Sequence, residues 1–216
     1  MARTLSAAQV LSIRNETLQL TGGWNEAFGE IDRHGIVFVY GPSACGKSSV
    51  ALCFAKELTR FGRVLYVSNE EGFASSLQER LRRFSIADCG ARFQLVSKEP
   101  MGELVERLKK RKSADFVVID SIQDSQISRA EYRDLKRLSA SKMLIFVSRV
   151  EGCRPMGRLA VDIKFDADLK VWVEGGRAMS EGRYIGSVGY YDVLQQKARQ
   201  YWGATTDDKV VSYETE

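Results

Sequence analysis

The sequence contains few of the residues that build metal and disulfide sites. It has one histidine, His34, and four cysteines, none of them in a Cys-x-x-Cys pair. We expect His34, just before an apolar segment, to be a surface residue and not a catalyst. The cysteine spacing argues against a zinc knuckle. Cys45 and Cys53 are therefore expected to be reduced thiols of a cytoplasmic protein.

Long apolar runs are also missing. The first residues lack the apolar core of a signal peptide, and no run approaches the length of a membrane-spanning helix. Neither sign of charge dominates, because the chain contains 32 Lys and Arg residues and 28 Asp and Glu residues, which gives a net charge of +4. Such a mildly basic chain permits a nucleic-acid partner without requiring one. We expect a soluble cytoplasmic protein with no membrane partner.

A complete phosphate-binding motif is present at residues 41–48, which read Gly-Pro-Ser-Ala-Cys-Gly-Lys-Ser. An apolar run precedes it and a helical pattern follows, which is the strand–loop–helix context that the motif needs. Glycines let the backbone amides surround a phosphate chain, and the helix adds its positive end. Lys47 would reach the β- and γ-phosphates, and Ser48 would bind Mg²⁺. The sequence predicts a nucleoside triphosphate site formed by Gly41, Pro42, Ser43, Ala44, Cys45, Gly46, Lys47, Ser48 and Ser49.

Short apolar segments alternate with amphipathic helical patterns along most of the chain. The predicted strands are residues 35–40, 63–68, 92–96, 115–120 and 143–148. Their nearly continuous apolar character is typical of strands covered on both faces of a parallel sheet. This pattern predicts a doubly wound α/β domain, that is, a mainly parallel sheet flanked by helices.

The two ends of the chain differ from this pattern. A loose amphipathic helix is predicted up to about Gly22, with a break at residues 21–24. Residues 169–173 alternate by two and precede a tight turn, which predicts an antiparallel ribbon added to the sheet's edge. The predicted organisation is an N-terminal helical segment (1–34), an α/β domain with the phosphate-binding motif (35–203) and a polar tail (204–216).

An acidic residue ends the predicted strand 115–120. Asp120 would lie beside Mg²⁺ in a phosphate-loop protein. The alternative is that Asp120 only caps the next turn. The following residue, Ser121, cannot act as the base that activates water.

A carboxylate is available after the strand 63–68, where Glu70 and Glu71 follow. The carboxyl ends of parallel strands share one edge with the phosphate loop, so either glutamate could hold a water molecule for attack on the γ-phosphate. The alternative is an acidic start to the next helix.

Three ordered motifs carry a family resemblance, the phosphate loop, Leu65-Tyr-Val-Ser-Asn-Glu-Glu71 and Val118-Ile-Asp-Ser-Ile-Gln123. Together they resemble the RecA-type ATPases, in particular the core of the RadA/Sms recombination proteins, with DnaB helicases and KaiC as wider relatives. The resemblance covers about residues 35–176. It implies a RecA-like fold, ATP and Mg²⁺ as ligands, and ATP hydrolysis.

The resemblance also implies roles for single residues. Glu70 falls on the catalytic glutamate of the family and Asp120 on its aspartate for the Mg²⁺ site. Gln123 falls on the residue that senses the γ-phosphate and transmits this nucleotide state toward DNA. Residues 149–158 fall on a loop that faces the DNA channel, and a loop containing glycine and proline can reach phosphates. The predicted nucleic-acid contacts are Arg149, Arg154 and Arg158.

One family motif is degraded. Where RadA has Lys-Asn-Arg-Phe-Gly, which reaches the neighbouring subunit's ATP, this chain reads Glu-Gly-Arg-Tyr-Ile-Gly at residues 181–186. Arg183 stays a candidate finger acting in trans, whereas the lysine position is acidic. The zinc module and protease-like domain of RadA do not appear, so a bare motor core is expected, as found in phages and mobile elements.

We therefore predict a RecA-like ATPase that acts on nucleic acid, with single-stranded DNA favoured, in recombination or replication, as a homo-oligomeric ring or filament. Two alternatives stay open. One is a nucleotide-gated interaction or loader protein without direct action on DNA. The other is a deoxynucleoside kinase of thymidine-kinase type, although the zinc lasso of that family needs paired cysteines.

Overall fold

The computed structural model describes residues 4–203. The predicted polar tail, 204–216, lies outside the described residues. The helices are α1 (Ala7–Leu11), α2 (Gly23–Phe28), α3 (Lys47–Leu58), α4 (Ser75–Arg83), a 3₁₀ helix (Ile86–Arg92), α5 (Met101–Lys109), α6 (Arg129–Leu138), α7 (Arg158–Asp166) and α8 (Gln195–Trp202). The strands are β1 (Thr17–Leu18), β2 (Ile31–Asp32), β3 (Gly35–Gly41), β4 (Val64–Ser68), β5 (Phe93–Ser97), β6 (Phe116–Asp120), β7 (Met143–Glu151), β8 (Arg154–Pro155), β9 (Leu169–Glu174), β10 (Arg177–Gly182) and β11 (Tyr190–Asp192). Within this range, no helix combines the length and the apolar character that crossing a bilayer requires.

The main sheet has the strand order β11-β10-β9-β3-β7-β6-β4-β5, and β8 pairs with β7 outside this path. The six strands from β9 to β5 run parallel to one another. Strands β10 and β11 run antiparallel at one edge. The predicted fold class, a mainly parallel α/β sheet with an antiparallel C-terminal extension, is confirmed.

Both faces of the sheet are covered, as the apolar strands predict. On one face, Val37 and Val39 of β3 pack with residues of α3 such as Leu52 and Phe54. On the other face, Phe38 of β3 packs with buried residues of α5, α6 and α7. Because neighbouring side chains of a strand point to opposite faces, a strand between two cores needs an unbroken apolar sequence.

The N-terminal segment differs from its prediction. Helix α1 ends at Leu11 and buries none of its residues, so the helix expected up to Gly22 is wrong. Residues 21–24, predicted as a break, contain the start of α2, which follows the left-handed backbone of Gly22 (φ 53°). Trp24 and Phe28 of α2 are buried in the core beside α3, and their apolar area fixes this helix on the sheet. The division of the chain at residue 34 stays a prediction.

The C-terminal quarter also differs in one respect. The predicted antiparallel ribbon is confirmed, because β9 and β10 pair antiparallel across the turn after Glu174, but the ribbon joins the main sheet through β9, which pairs parallel with β3. The alternation in β9 reflects one fully buried face, which carries Leu169, Val171 and Val173. Burial of one face says nothing about the direction of the partner strand, so the pattern alone could not distinguish the two arrangements.

Candidate nucleotide-binding site

The phosphate loop connects the carboxyl end of β3 to the start of α3 at Lys47. Both of its glycines, Gly41 and Gly46, are required by the geometry. A Cβ on Gly41 would lie 2.1 Å from the carbonyl oxygen of Val173, and Gly46 has a left-handed backbone with φ 109°. The turn after β9 supports the loop, because the Gly176 N–H donates to the Cys45 carbonyl at 3.0 Å.

A cavity of about 410 Å³ opens above this loop. It is lined by loop residues, by residues that follow β4 and β6, and by residues of α4, β7 and the start of α8. The lining includes Ser43, Ala44, Gly46, Lys47, Ser48, Ser49, Glu70, Glu71, Arg80, Asp120, Arg149, Leu194 and Lys197. The structure therefore brings together the phosphate loop, Asp120 and the candidate glutamates that the sequence placed at one sheet edge.

Asp120 is buried at the end of β6, and its two carboxylate oxygens differ in their hydrogen bonds. The Tyr66 hydroxyl donates to Oδ2 at 2.6 Å, and the Ser48 side chain is a further hydrogen-bond partner. Oδ1 has no hydrogen-bond partner within residues 4–203. Burial raises the pKa of Asp120 above its usual range, although the bonds from Tyr66 and Ser48 oppose the shift.

These two residues fit a magnesium ion. Mg²⁺ prefers oxygen ligands. Asp120 Oδ1, which is buried and has no hydrogen-bond partner among the described residues, and the neighbouring Ser48 hydroxyl offer that chemistry. Lys47 adds a positive charge in the same cavity, and its Nζ donates to the Pro42 carbonyl at 2.5 Å. The site thus combines a cation for phosphates with oxygen ligands for a metal.

Glu70 and Glu71 both line the cavity but differ in their partners. The Glu70 side chain is about half exposed and lies 3.3 Å from Arg149 Nη2. Its backbone N–H faces the carbonyl oxygen of Asp120 at 3.4 Å, which holds it beside the metal site. Glu71 instead forms an ion pair with Arg80 and accepts from Ser76 at 2.6 Å. Burial alone would raise the pKa of Glu71, but these two partners lower it.

The segment 149–158 is not the flexible loop expected from its glycine and proline. Strand β7 continues to Glu151 and forms a hairpin with β8, with Val150 opposite Pro155. Arg158 begins helix α7. The three arginines therefore lie on three different pieces of regular structure.

Arg149 differs from the other two arginines in its surroundings. Its side chain lines the cavity, 2.6 Å from Asp124 and 3.3 Å from Glu70, and these two carboxylates hold it there. The structure thus places Arg149 at the cavity above the phosphate loop, and its role as a nucleic-acid contact stays a prediction. Within the described part of the chain, Arg154 and Arg158 form no ion pair, and both are exposed.

Gln123 lies next to the cavity and not in its lining. Its Nε2 donates to Ser148 Oγ and to the Met156 carbonyl, both at 2.9 Å, and its Oε1 accepts from the Arg149 N–H at 3.1 Å. Gln123 thus connects the end of β6 with both sides of the β7–β8 hairpin. Its role as a γ-phosphate sensor stays a prediction.

Arg183 lies at the opposite end of the sheet from the phosphate loop. It is exposed and pairs with Asp168 at 3.1 Å, and Asp168 also accepts from the Ile36 N–H at the start of β3. The seven residues of β3 separate this point from Gly41 by about 20 Å. Arg183 therefore cannot reach the phosphate loop of its own chain, so any finger role must act on a neighbour.

Sequence reasoning missed Arg80, Leu194 and Lys197, which line the cavity from α4 and from the start of α8. The segment 195–200, Gln-Gln-Lys-Ala-Arg-Gln, consists of good helix formers, so α8 itself could have been found. Its contact with the phosphate loop could not, because it depends on packing between distant residues.

Comparison with known proteins agrees with this geometry. A protein family described as AAA domain matches residues 24–134, more than half of the chain. The chain belongs to the AAA-domain family. The matched part of this AAA domain contains the phosphate loop, Glu70 and Asp120.

Curated relatives and a solved structure add to this assignment. DNA repair protein RadA of Streptococcus pneumoniae (strain ATCC BAA-255 / R6) is 32% identical over 126 residues, which are 56% of this chain and 28% of RadA. RadA of Streptococcus pyogenes serotype M6 is 34% identical over 88 residues, 41% of this chain and 18% of that protein. The chain thus spans less than a third of the length of these RadA relatives.

The flagellar accessory protein FlaH of Methanocaldococcus jannaschii has a similar fold. Its crystal structure matches with a TM-score of 0.57 at 16% identity, over 82% of this chain and 92% of FlaH. At this identity the match concerns the fold alone. The family, the RadA relatives and this fold together identify a RecA-like P-loop ATPase that resembles RadA.

Proposed function

We propose that the protein binds Mg·ATP in the cavity above residues 41–48 and hydrolyses it. The observation that carries this proposal is the convergence of Lys47, Ser48, Asp120 and Glu70 on one cavity. Phosphoryl transfer to water requires a cation for the phosphates, oxygen groups for Mg²⁺ and a carboxylate that holds the water.

Each residue has a separate task in this mechanism. The loop amides and Lys47 bind the β- and γ-phosphates, and Ser48 with Asp120 would hold Mg²⁺, which neutralises charge on those phosphates. Glu70 orients a water molecule and accepts its proton. Arg149 keeps Glu70 in place through the 3.3 Å contact and adds positive charge beside the γ-phosphate position.

Action on nucleic acid as a homo-oligomer is the finer part of the proposal. It is supported by the relatives, which are DNA repair proteins, and by the two exposed arginines of the β8–α7 region, Arg154 and Arg158. We favour single-stranded DNA, with Arg183 reaching the cavity of a neighbouring copy. The cytoplasmic location stays a prediction from the sequence.

A second function is favoured by the position of Arg149. With this arginine inside the nucleotide cavity, the hairpin offers a smaller cationic surface than the sequence suggested. The protein could then be a nucleotide-gated oligomeric interaction or loader protein, in which Gln123 passes the nucleotide state to the hairpin and a protein partner reads it.

ATP turnover measured with and without DNA separates the two functions. The rate is measured at rising protein concentration, alone and with single- or double-stranded DNA, and Glu70→Gln serves as the inactive control. Stimulation by single-stranded DNA supports the motor. Turnover or ATP-dependent assembly that DNA does not change supports the interaction protein, and a chain that does not bind Mg·ATP contradicts both.

A further inference from the structure

Helix α8 begins beside the phosphate loop and is connected to it through the backbone. The Leu194 N–H donates to the Gly176 carbonyl at 3.0 Å, and the Gly176 N–H donates to the Cys45 carbonyl at 3.0 Å. Two successive hydrogen bonds thus join the residue that precedes α8 to the middle of the loop. A displacement of α8 would remove support from the loop.

Side chains fix this helix at both of its ends. Near its start, Leu194 Cδ1 would lie 3.0 Å from a Cβ on Gly46, so the leucine covers the last glycine of the loop. Near its end, the Tyr201 hydroxyl donates to Glu174 at 2.7 Å, and the ring of Tyr201 covers Gly175. Ala198 in the middle is fully buried. Helix α8 is therefore packed onto the turn that supports the phosphate loop.

Lys197 extends from α8 into the nucleotide cavity. Its ammonium group donates to the carbonyl of Ala44, a loop residue, and it lines the same cavity as Lys47. Although burial raises the pKa of the Cys45 thiol, the charges of Lys47 and then of Lys197 act against this rise. Two ammonium groups from different parts of the chain thus lie on the same loop, one against Pro42 and one against Ala44.

We infer that the start of α8 is part of the nucleotide site. Lys197 supplies a second cation to the phosphate chain of a nucleoside di- or triphosphate, and Leu194 closes the outer side of the loop. Ammonium groups bind phosphates as point charges, and the amides of a phosphate loop such as residues 41–48 point toward the phosphates of a bound nucleotide. The inference rests on the proposed nucleotide binding. By linkage, a bound nucleotide also holds α8 in place, so occupancy of the cavity is transmitted to the C-terminal end of the described chain.

Calorimetry with Mg·ADP and Mg·ATP on the full chain tests this inference. Lys197→Ala should weaken both affinities about tenfold, as expected for the loss of a charge-assisted hydrogen bond, and Lys197→Arg should recover most of the loss. Lys109→Ala is the matched control, since it removes an exposed lysine of α5, and its affinities should stay within twofold of the wild type. Adenosine, which lacks phosphates, should bind the wild type and Lys197→Ala equally.

Hydrogen exchange of the wild type gives a second result that does not depend on the variants. Mg·ADP should slow exchange in residues 194–203 and leave α5 unchanged. If Lys197→Ala binds both nucleotides like the wild type while Lys47→Ala does not bind, the inference is overturned and the proposed function stands. Equal loss of adenosine and ADP affinity, or exchange in α8 that the nucleotide does not change, also overturns it. A wild type that binds neither nucleotide refutes the proposed function itself.

Discussion

Asp120→Asn should stabilise the nucleotide-free protein while it impairs Mg²⁺-dependent binding. The carboxylate of Asp120 is buried, one of its oxygens has no partner within the described residues, and burial raises its pKa. An ionised group in such a place costs several kcal/mol of desolvation, which two neutral donors offset only in part. Asparagine keeps an acceptor for Tyr66 and Ser48 but leaves an unpaired amide N–H, at about 1–3 kcal/mol.

The balance favours asparagine by about 1 kcal/mol or more, which corresponds to a melting temperature about 2–4 °C higher for a chain of this size. Thermal unfolding in EDTA measures this change. Asp134→Asn is the matched control on the exposed face of α6 and should leave the melting temperature nearly unchanged. Calorimetry should show that Mg²⁺ no longer strengthens ADP binding to Asp120→Asn. A lower melting temperature, or an unchanged effect of Mg²⁺, would refute the reasoning about this carboxylate.

Three further predictions concern residues of the site and the fold. Glu70→Gln should keep ATP bound and slow its hydrolysis by about 10²-fold or more. Glu71→Gln should have a much smaller effect, because the Glu71 carboxylate is already bonded to Arg80 and Ser76. Single-turnover assays measure both rates, and reversed effects would assign the base to Glu71. Adding Arg183→Ala chains to wild type should suppress turnover if the arginine acts in trans, whereas full activity of monomers contradicts that role. Burial would raise the pKa of Asp166, but hydrogen bonds from Lys136 and Tyr132 lower it. The ionised Asp166 therefore stabilises the folded protein fully above the unfolded pKa of about 3.9, and this contribution is lost as pH falls through the lowered folded pKa. Asp166→Asn should therefore reduce the unfolding free energy at pH 7 more than at pH 3, and an equal reduction at both would contradict the assignment.

The parallel strands and the phosphate loop could be predicted from sequence because their signals are local. Strand β4 was expected at residues 63–68 and is Val64–Ser68, and β5 was expected at 92–96 and is Phe93–Ser97. Strand β4 is buried on both faces and is nearly all apolar, so its sequence marks its ends. Strand β5 lies at the edge of the sheet and is only partly buried, but its apolar residues Phe93, Leu95 and Val96 still mark its position. The glycines at 41 and 46 mark the loop for a similar reason, since other residues cannot take those positions.

The remaining features depend on contacts between distant residues. Arg149 lies in a segment whose composition resembles a loop, but Asp124 and Glu70 direct its side chain into the cavity. The alternation in β9 reports one buried face and not the direction of its neighbour. The docking of α8 depends on the turn at Gly175 and Gly176, far from the phosphate loop in sequence. None of these contacts between distant residues can be identified from a local sequence pattern.

Calorimetric titration of Mg·ATP into the wild-type chain and Lys47→Ala is the most direct test of the central claim. Lys47 extends from the loop into the cavity, where its ammonium group donates to the Pro42 carbonyl at 2.5 Å. The account predicts saturable binding of one nucleotide per wild-type chain and no detectable binding to Lys47→Ala, although both proteins unfold at similar temperatures. An affinity of Lys47→Ala within a few fold of the wild type would contradict the assignment of this cavity as the nucleotide site.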